Sequence, residues 1–222
     1  MNERAHSSQA SSEEQSFSLP DLQAGDKAEF ARVVEAHSEK IYRLALKMLG
    51  NEQDAEDILQ ETFIKAYRNL EDFKGRSKIS TWLYRIATNE ALMLIRARKE
   101  KTTSLQKEQL SDDGQVYSSL KLVDWCCLPE QELLSSEAIA YLDRAVDQLP
   151  EGMRAAFVLR DIEGLSTRET AQVLEISESA AKTRLSRARL RLRELLSGYY
   201  GQKVDQLPVN FRRQGQEKWE RN

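Results

Sequence analysis

Apolar residues in this chain recur three and four apart between short polar breaks. No stretch of useful length alternates with the period of two that a half-buried strand requires. The spacing predicts a helix from Asp26 to Met48, with Phe30, Val33, Val34, Ile41, Leu44 and Ala45 as its apolar face, stopped by Gly50 and Asn51. A second helix is predicted from Gln53 to Leu70 on Ala55, Ile58, Leu59, Phe63 and Ala66. A third runs from Ile79 to about Arg98 on Ile79, Trp82, Leu83 and Ile86. Residues 1–24 are Ser-, Glu- and Gln-rich and read as disordered. Residues 25–100 form a first helical unit, 101–133 a flexible linker, 134–198 a second helical unit, and 199–222 a polar tail read as disordered. The predicted fold is therefore all-α: two small helical domains joined by a flexible linker.

The second unit carries a helix-turn-helix pattern over residues 165–189. Ser166 with Glu169 three positions later is a capping box, and Ala171 and Leu174 face inward. Ser177 is a natural N-cap for the next helix, in which Ala181, Leu185, Ala188 and Leu192 form one buried stripe. Ser179, Lys182, Thr183 and Ser186 fall on the opposite side. From Glu178 to Arg193 there are six Lys or Arg and one acid. Short hydroxyls and long cations on one exposed face suit phosphate anchoring and base-edge contact in a major groove. A surface helix with a merely solvated basic face is the plainer alternative, which the capped helix before it and the turn length disfavour. Glu175 occupies the turn where glycine adopts a left-handed backbone freely, a mismatch of roughly 1 kcal/mol.

The first unit differs in character. Asp54, Asp57 and Glu61 share one helix face, with Gln60 beside them. Acids in a first turn suit the helix dipole, which accounts for Asp54 but poorly for Glu61, beyond the reach of that effect. The loop at 71–78 sets Phe73 among Lys74, Arg76 and Lys78, with Gly75 permitting a sharp bend. On the third helix Thr81, Tyr84, Arg85 and Thr88 lie opposite the apolar stripe, with Asn89 adjacent. Aromatic, hydroxyl and cationic groups in company can stack on and hydrogen-bond unpaired bases. For Trp82 alone, a place in the core is the better reading.

Composition narrows the picture. Net charge is −3, so bulk charge does not advertise nucleic-acid binding and local charge must carry that case. The N-terminus lacks the apolar region of a signal peptide, and no apolar run approaches the ~20 residues of a membrane span, so a cytoplasmic protein without membrane insertion is expected. Cys126 and Cys127 are adjacent and read as reduced thiols, a redox-sensing role being the less favoured alternative. His6 and His37 lie far from them in sequence. There is no P-loop, dinucleotide fingerprint or metal-ligand spacing, so no cofactor, metal or catalytic residue is expected and an enzyme is the least favoured class.

The motifs together resemble a known family. Residues 54–67, Asp-Ala-Glu-Asp-Ile-Leu-Gln-Glu-Thr-Phe-Ile-Lys-Ala-Tyr, are similar to the polymerase-binding helix of bacterial sigma factors. Residues 73–89, from Phe73 through Trp82 to Asn89, resemble the promoter-melting segment. Leu149-Pro-Glu and the run 158–166 resemble the opening of the C-terminal domain that the helix-turn-helix completes. Order, spacing and a short linker are similar to the extracytoplasmic-function (ECF) subfamily, over roughly residues 25–198. Met93, where the family often has aspartate, Glu175 at the turn, and Thr170 and Ala181 in the helix-turn-helix core depart from its pattern.

The resemblance implies a factor that binds core RNA polymerase, directs it to promoters and helps melt DNA. Asp54, Asp57, Gln60 and Glu61 would dock on polymerase. Phe73, Lys74, Ser77, Thr81, Trp82, Tyr84, Arg85 and Asn89 would handle the minus-ten element, the loop at Phe73 supplying a pocket for a flipped base. Ser179, Lys182, Thr183, Arg184, Ser186 and Arg187 would read the minus-thirty-five element. Promoter DNA and core polymerase are the implied partners, and an anti-sigma factor is a further one. Two alternatives stand beside this reading. One is a stand-alone helix-turn-helix regulator that binds duplex DNA without polymerase. The other is a helical interaction protein with no nucleic-acid role.

Overall fold

Asp26 and Asn51 open the two helices that found the N-terminal unit, and each does so with its side chain. Asp26 accepts from the Glu29 backbone N–H at 2.8 Å, and Asn51 from that of Asp54 at 3.0 Å. The computed structural model describes residues 17–103 and 136–206. Every regular element among them is helical: α1 Leu19–Gln23, α2 Lys27–Leu49, α3 Glu52–Arg68, α4 Ile79–Thr103, α5 Ser136–Asp147, α6 Glu151–Phe157, a π turn Val158–Ile162, α7 Thr167–Val173 and α8 Glu178–Gln206. The fold is all-α, as predicted. Residues 1–16, 104–135 and 207–222, with Cys126, Cys127 and most of the expected linker and tail, lie outside the described residues.

Helices α2, α3 and α4 pack on one another. Gly50 ends α2 in the left-handed conformation, φ +67°, and its N–H closes on the Leu46 carbonyl at 2.8 Å. The predicted stripes are the buried ones: Val33, Ile41, Leu44 and Ala45 of α2, Ala55, Ile58, Phe63 and Ala66 of α3, Trp82 and Leu83 of α4.

Two expectations change. The sequence placed all of residues 1–24 outside the fold, but Leu19–Gln23 is helical and packed against it. Pro20 presets the first turn, Leu22 is buried, and the Gln23 side chain donates to the Phe73 carbonyl at 2.8 Å. Likewise α8 runs past residue 199 to Gln206. Neither Gly198 nor Gly201 has a positive φ, so each costs about 1 kcal/mol of helix propensity without capping the helix.

In the C-terminal unit α8 packs on α5, α6 and α7. Ser166 and Glu169 make the full capping box, 2.8 and 3.1 Å. Ser177 Oγ accepts from the Ala180 N–H at 3.2 Å. Ala181, Leu185, Ala188 and Leu192 are all buried, the predicted stripe. Thr170, set among these apolar groups, is fully buried and donates its hydroxyl to the Ser166 carbonyl at 2.9 Å. Glu175 holds φ +53°, the left-handed turn the sequence demanded of a non-glycine residue. Between α6 and α7 the π turn is closed by Glu163 N–H to the Val158 carbonyl at 2.9 Å, one residue wider than an α turn.

The two units pack together: α2 and α4 contact the π turn, α5, α6 and α7 of the C-terminal unit between them. Arg154 of α6 reaches across to the Met48 carbonyl at 2.8 Å while also donating to the carbonyls of Asp147 and Leu149.

Candidate nucleic-acid interface

Helical geometry sorts the basic residues of α8. Positions 179, 182, 183, 186 and 187 follow the i, i+3, i+4, i+7, i+8 rule and share one face. The structure leaves Ser179, Lys182, Thr183, Ser186 and Arg187 all exposed. Thr183 Oγ1 is turned back to the Ser179 carbonyl, at 2.9 Å. Arg184, named with this group from the sequence, lies off that face. It is half-buried, and a Cβ added to Gly152 would meet its Nη1 at 3.2 Å. Arg189 also has other work: it forms a two-pronged pair with Asp161, 2.9 and 2.7 Å, tying α8 to the π turn. The face that remains carries two cations and three hydroxyls.

On α3 the acidic group divides. Asp57 and Gln60 are exposed, whereas Asp54 is half-buried and accepts from Arg98 Nη2 of α4 at 2.5 Å. Glu61 pairs with Lys65 at 3.4 Å, and Lys65 is drawn more tightly to Glu90 of α4 at 2.6 Å. The hydrogen bonds to these carboxylates, Glu90 first, hold the Lys65 ammonium above its ordinary range. Ile64 is 43% exposed at i+7 from Asp57, i+4 from Gln60 and i+3 from Glu61. The sequence reading passed over it. Its signal is an isoleucine outside the buried stripe, an exposed apolar centre ringed by polar groups.

The minus-ten group is split by burial. Lys74 and Asn89 are exposed, and Ser77 and Arg85 half-exposed. Phe73, Thr81, Trp82 and Tyr84 are buried. Phe73 does not line an open pocket: its ring stacks on Trp82, centroids 4.8 Å apart. Trp82 takes the core position favoured for it. Tyr84 faces the C-terminal unit, where its Oη donates to Glu163 Oε2 at 2.9 Å. Burial first, and then the nearby carboxylate, push the phenol well above its ordinary range, so it stays a hydrogen-bond donor at neutral pH. Arg43 of α2 grips the same carboxylate, and that hydrogen bond raises its guanidinium further. Neither Arg43 nor Glu163 stood out in the sequence.

Comparison with known proteins shows what this arrangement belongs to. Residues 33–101 match sigma-70 region 2 and residues 139–192 match sigma-70 region 4, the modules of a transcription initiation factor. The chain is 39% identical over 179 residues to the ECF RNA polymerase sigma factor SigW of Bacillus subtilis (strain 168), covering 80% of this chain and 94% of that one. It is 35% identical over 171 residues to the ECF RNA polymerase sigma-E factor of Haemophilus influenzae, covering 76% and 87%. Among solved structures it is similar to CnrH in complex with the cytosolic domain of CnrY, TM-score 0.58 and 26% identity, covering 81% of this chain and 95% of that one. The chain belongs to the ECF family of RNA polymerase sigma factors. Its function is promoter-specific initiation of transcription with RNA polymerase, and the stand-alone regulator reading is not favoured. Among the described residues no helix is long and apolar enough to cross a membrane.

Proposed function

We propose a division of labour among these surfaces. The exposed face of α3, with Asp57, Gln60 and Glu61 around Ile64, docks on core polymerase, and Asp54 supports it from the side through Arg98. An apolar centre in a charged rim is the ordinary anatomy of a protein interface, and an acidic rim speeds encounter with a basic surface. Ser179, Lys182, Thr183, Ser186 and Arg187 read the minus-thirty-five element in the major groove, while Arg184 braces α8 against α6.

For the minus-ten element, Lys74, Ser77, Arg85 and Asn89 meet the DNA. Phe73, Thr81 and Trp82 fix the shape of the loop and helix that present them. Tyr84 joins this group only when the C-terminal unit moves away from α4. The polymerase supplies the chemistry of RNA synthesis, and this chain supplies promoter choice. An anti-sigma partner fits the same reading, since CnrH was solved with the cytosolic domain of CnrY bound.

The exposed five-residue face of α8 carries this proposal most directly, because every group on it is polar and turned to solvent. The test is transcription by purified core polymerase on a library of DNA fragments, with and without the chain. Transcripts that need the chain and share two upstream motifs support it. Duplex binding by the chain alone, with no transcripts and no complex with core polymerase, refutes it.

A further inference from the structure

Glu163 joins the two units more closely than any apolar contact requires. Its side chain is wholly covered, and its two oxygens take three hydrogen bonds from the other unit: Arg43 Nε at 2.8 Å, Arg43 Nη2 at 2.9 Å and Tyr84 Oη at 2.9 Å. Two further ion pairs cross the same seam, Lys47 Nζ to Asp143 at 2.5 Å and Arg96 Nε to Glu151 at 3.2 Å. In all three pairs the N-terminal unit supplies the cation and the C-terminal unit the acid. The outer two stay partly exposed, while the Glu163 carboxylate is sealed.

We propose that Glu163 is a latch: by gripping Arg43 and Tyr84 it holds the C-terminal unit closed over α4, and the chain must release it before it can engage polymerase and promoter productively. Three features support a latch over a permanent weld. Its strength is concentrated in one carboxylate, so losing that charge removes three bonds together. The groups it holds can be rehydrated when the units part, because Arg43 is already 42% exposed and the outer pairs are wet. Tyr84 lies among the residues assigned to the minus-ten element, so closure withdraws a promoter contact. If only a fraction of the chains is open, apparent affinity for any partner of the open form falls by that fraction. The effect on promoter contact rests on the proposed role of α4, but the closure itself does not.

The test therefore begins without polymerase or DNA. Full-length chain with Cys126→Ser and Cys127→Ser receives spin labels at Arg68→Cys on α3 and Arg193→Cys on α8, both exposed positions. Pulsed electron–electron spectroscopy should show one narrow distance population. Glu163→Gln keeps the shape of the side chain and removes its charge, and should move a substantial fraction to longer, broader distances. Arg43→Glu should do the same, and combining it with Glu163→Arg should restore the narrow population. Unlabelled Glu163→Gln should bind core polymerase roughly three- to tenfold more tightly.

Unchanged distances in both single variants overturn the latch. Opening without a gain in polymerase affinity overturns the claim that closure limits engagement. Should Glu163→Gln lose its helical circular dichroism, Tyr84→Phe takes its place. Partial opening there supports the latch, and an unchanged distribution overturns it.

Discussion

Phe73 lies against Trp82 with its ring plane 29° from parallel, so the loop before α4 is pinned by an aromatic stack. The Gln23 amide on the Phe73 carbonyl fixes the same residue from the other side. The two neighbours Phe73 and Lys74 thus have separable roles, one inside and one in solvent. Phe73→Ala should destabilise the N-terminal unit by about 3–5 kcal/mol, read by urea unfolding. Lys74→Ala should leave unfolding unchanged and slow open-complex formation more than initial promoter binding, read by stopped-flow fluorescence. An equal loss in both steps would make Lys74 a phosphate anchor with no part in melting.

Asp57 is exposed and Glu61 pairs only within its own helix, so reversing both charges should spare the fold. Asp57→Lys with Glu61→Lys should weaken binding to core polymerase at least tenfold at unchanged melting temperature. Ile64→Ala should weaken it further if the apolar centre is part of the same contact. Fluorescence anisotropy with labelled chain measures all three, and affinity equal to the parent protein would remove α3 from the docking surface.

Lys182 and Arg187 carry the charge of the α8 face. Lys182→Ala or Arg187→Ala should cost about 1–3 kcal/mol on the preferred upstream element if the residue reads a base pair. A uniform loss on every sequence, with a shallower salt dependence, would mark that residue as a phosphate contact instead. Arg184→Ala should behave differently, lowering thermal stability before it alters sequence preference.

The capping box gives a pH dependence. The Ser166 hydroxyl, and then its backbone N–H, hold the Glu169 carboxyl below its ordinary value of 4.5. A carboxylate depressed in the folded state stabilises the fold above that ordinary value, and the contribution is lost as pH falls through the lowered one. The melting temperature should therefore fall on acidification below about pH 4.5. Ser166→Ala should cost about 1 kcal/mol at neutral pH and flatten part of that fall. Differential scanning calorimetry from pH 3 to 7 on both proteins checks it, and parallel curves would mean that the box does not couple to titration.

Local chemistry in the sequence was a good guide wherever one helix settles the matter alone. The stripe Ala181, Leu185, Ala188, Leu192, the caps at Ser166 and Ser177, and the left-handed strain at Glu175 are all properties of neighbours within one or two turns. What escaped are relations between distant residues. Arg43 and Glu163 are 120 positions apart, and nothing near either says that they meet. Tyr84, read as an exposed base-stacking group because it sits opposite the apolar stripe, is covered by a unit that periodicity cannot see. Phe73 misled in another way: three cations around it suggested an open site, but the ring turns inward and the cations stay outside.

The π turn at Val158–Ile162 sets the angular phase of all that follows it. An α-helix advances about 100° per residue, so the one extra residue in that turn rotates the Glu163 carboxylate and the helix-turn-helix behind it as a single piece. Deleting any one residue of the turn would leave both units intact while dialling them out of register. The carboxylate would point away from Arg43, and the reading face of α8 would swing with it.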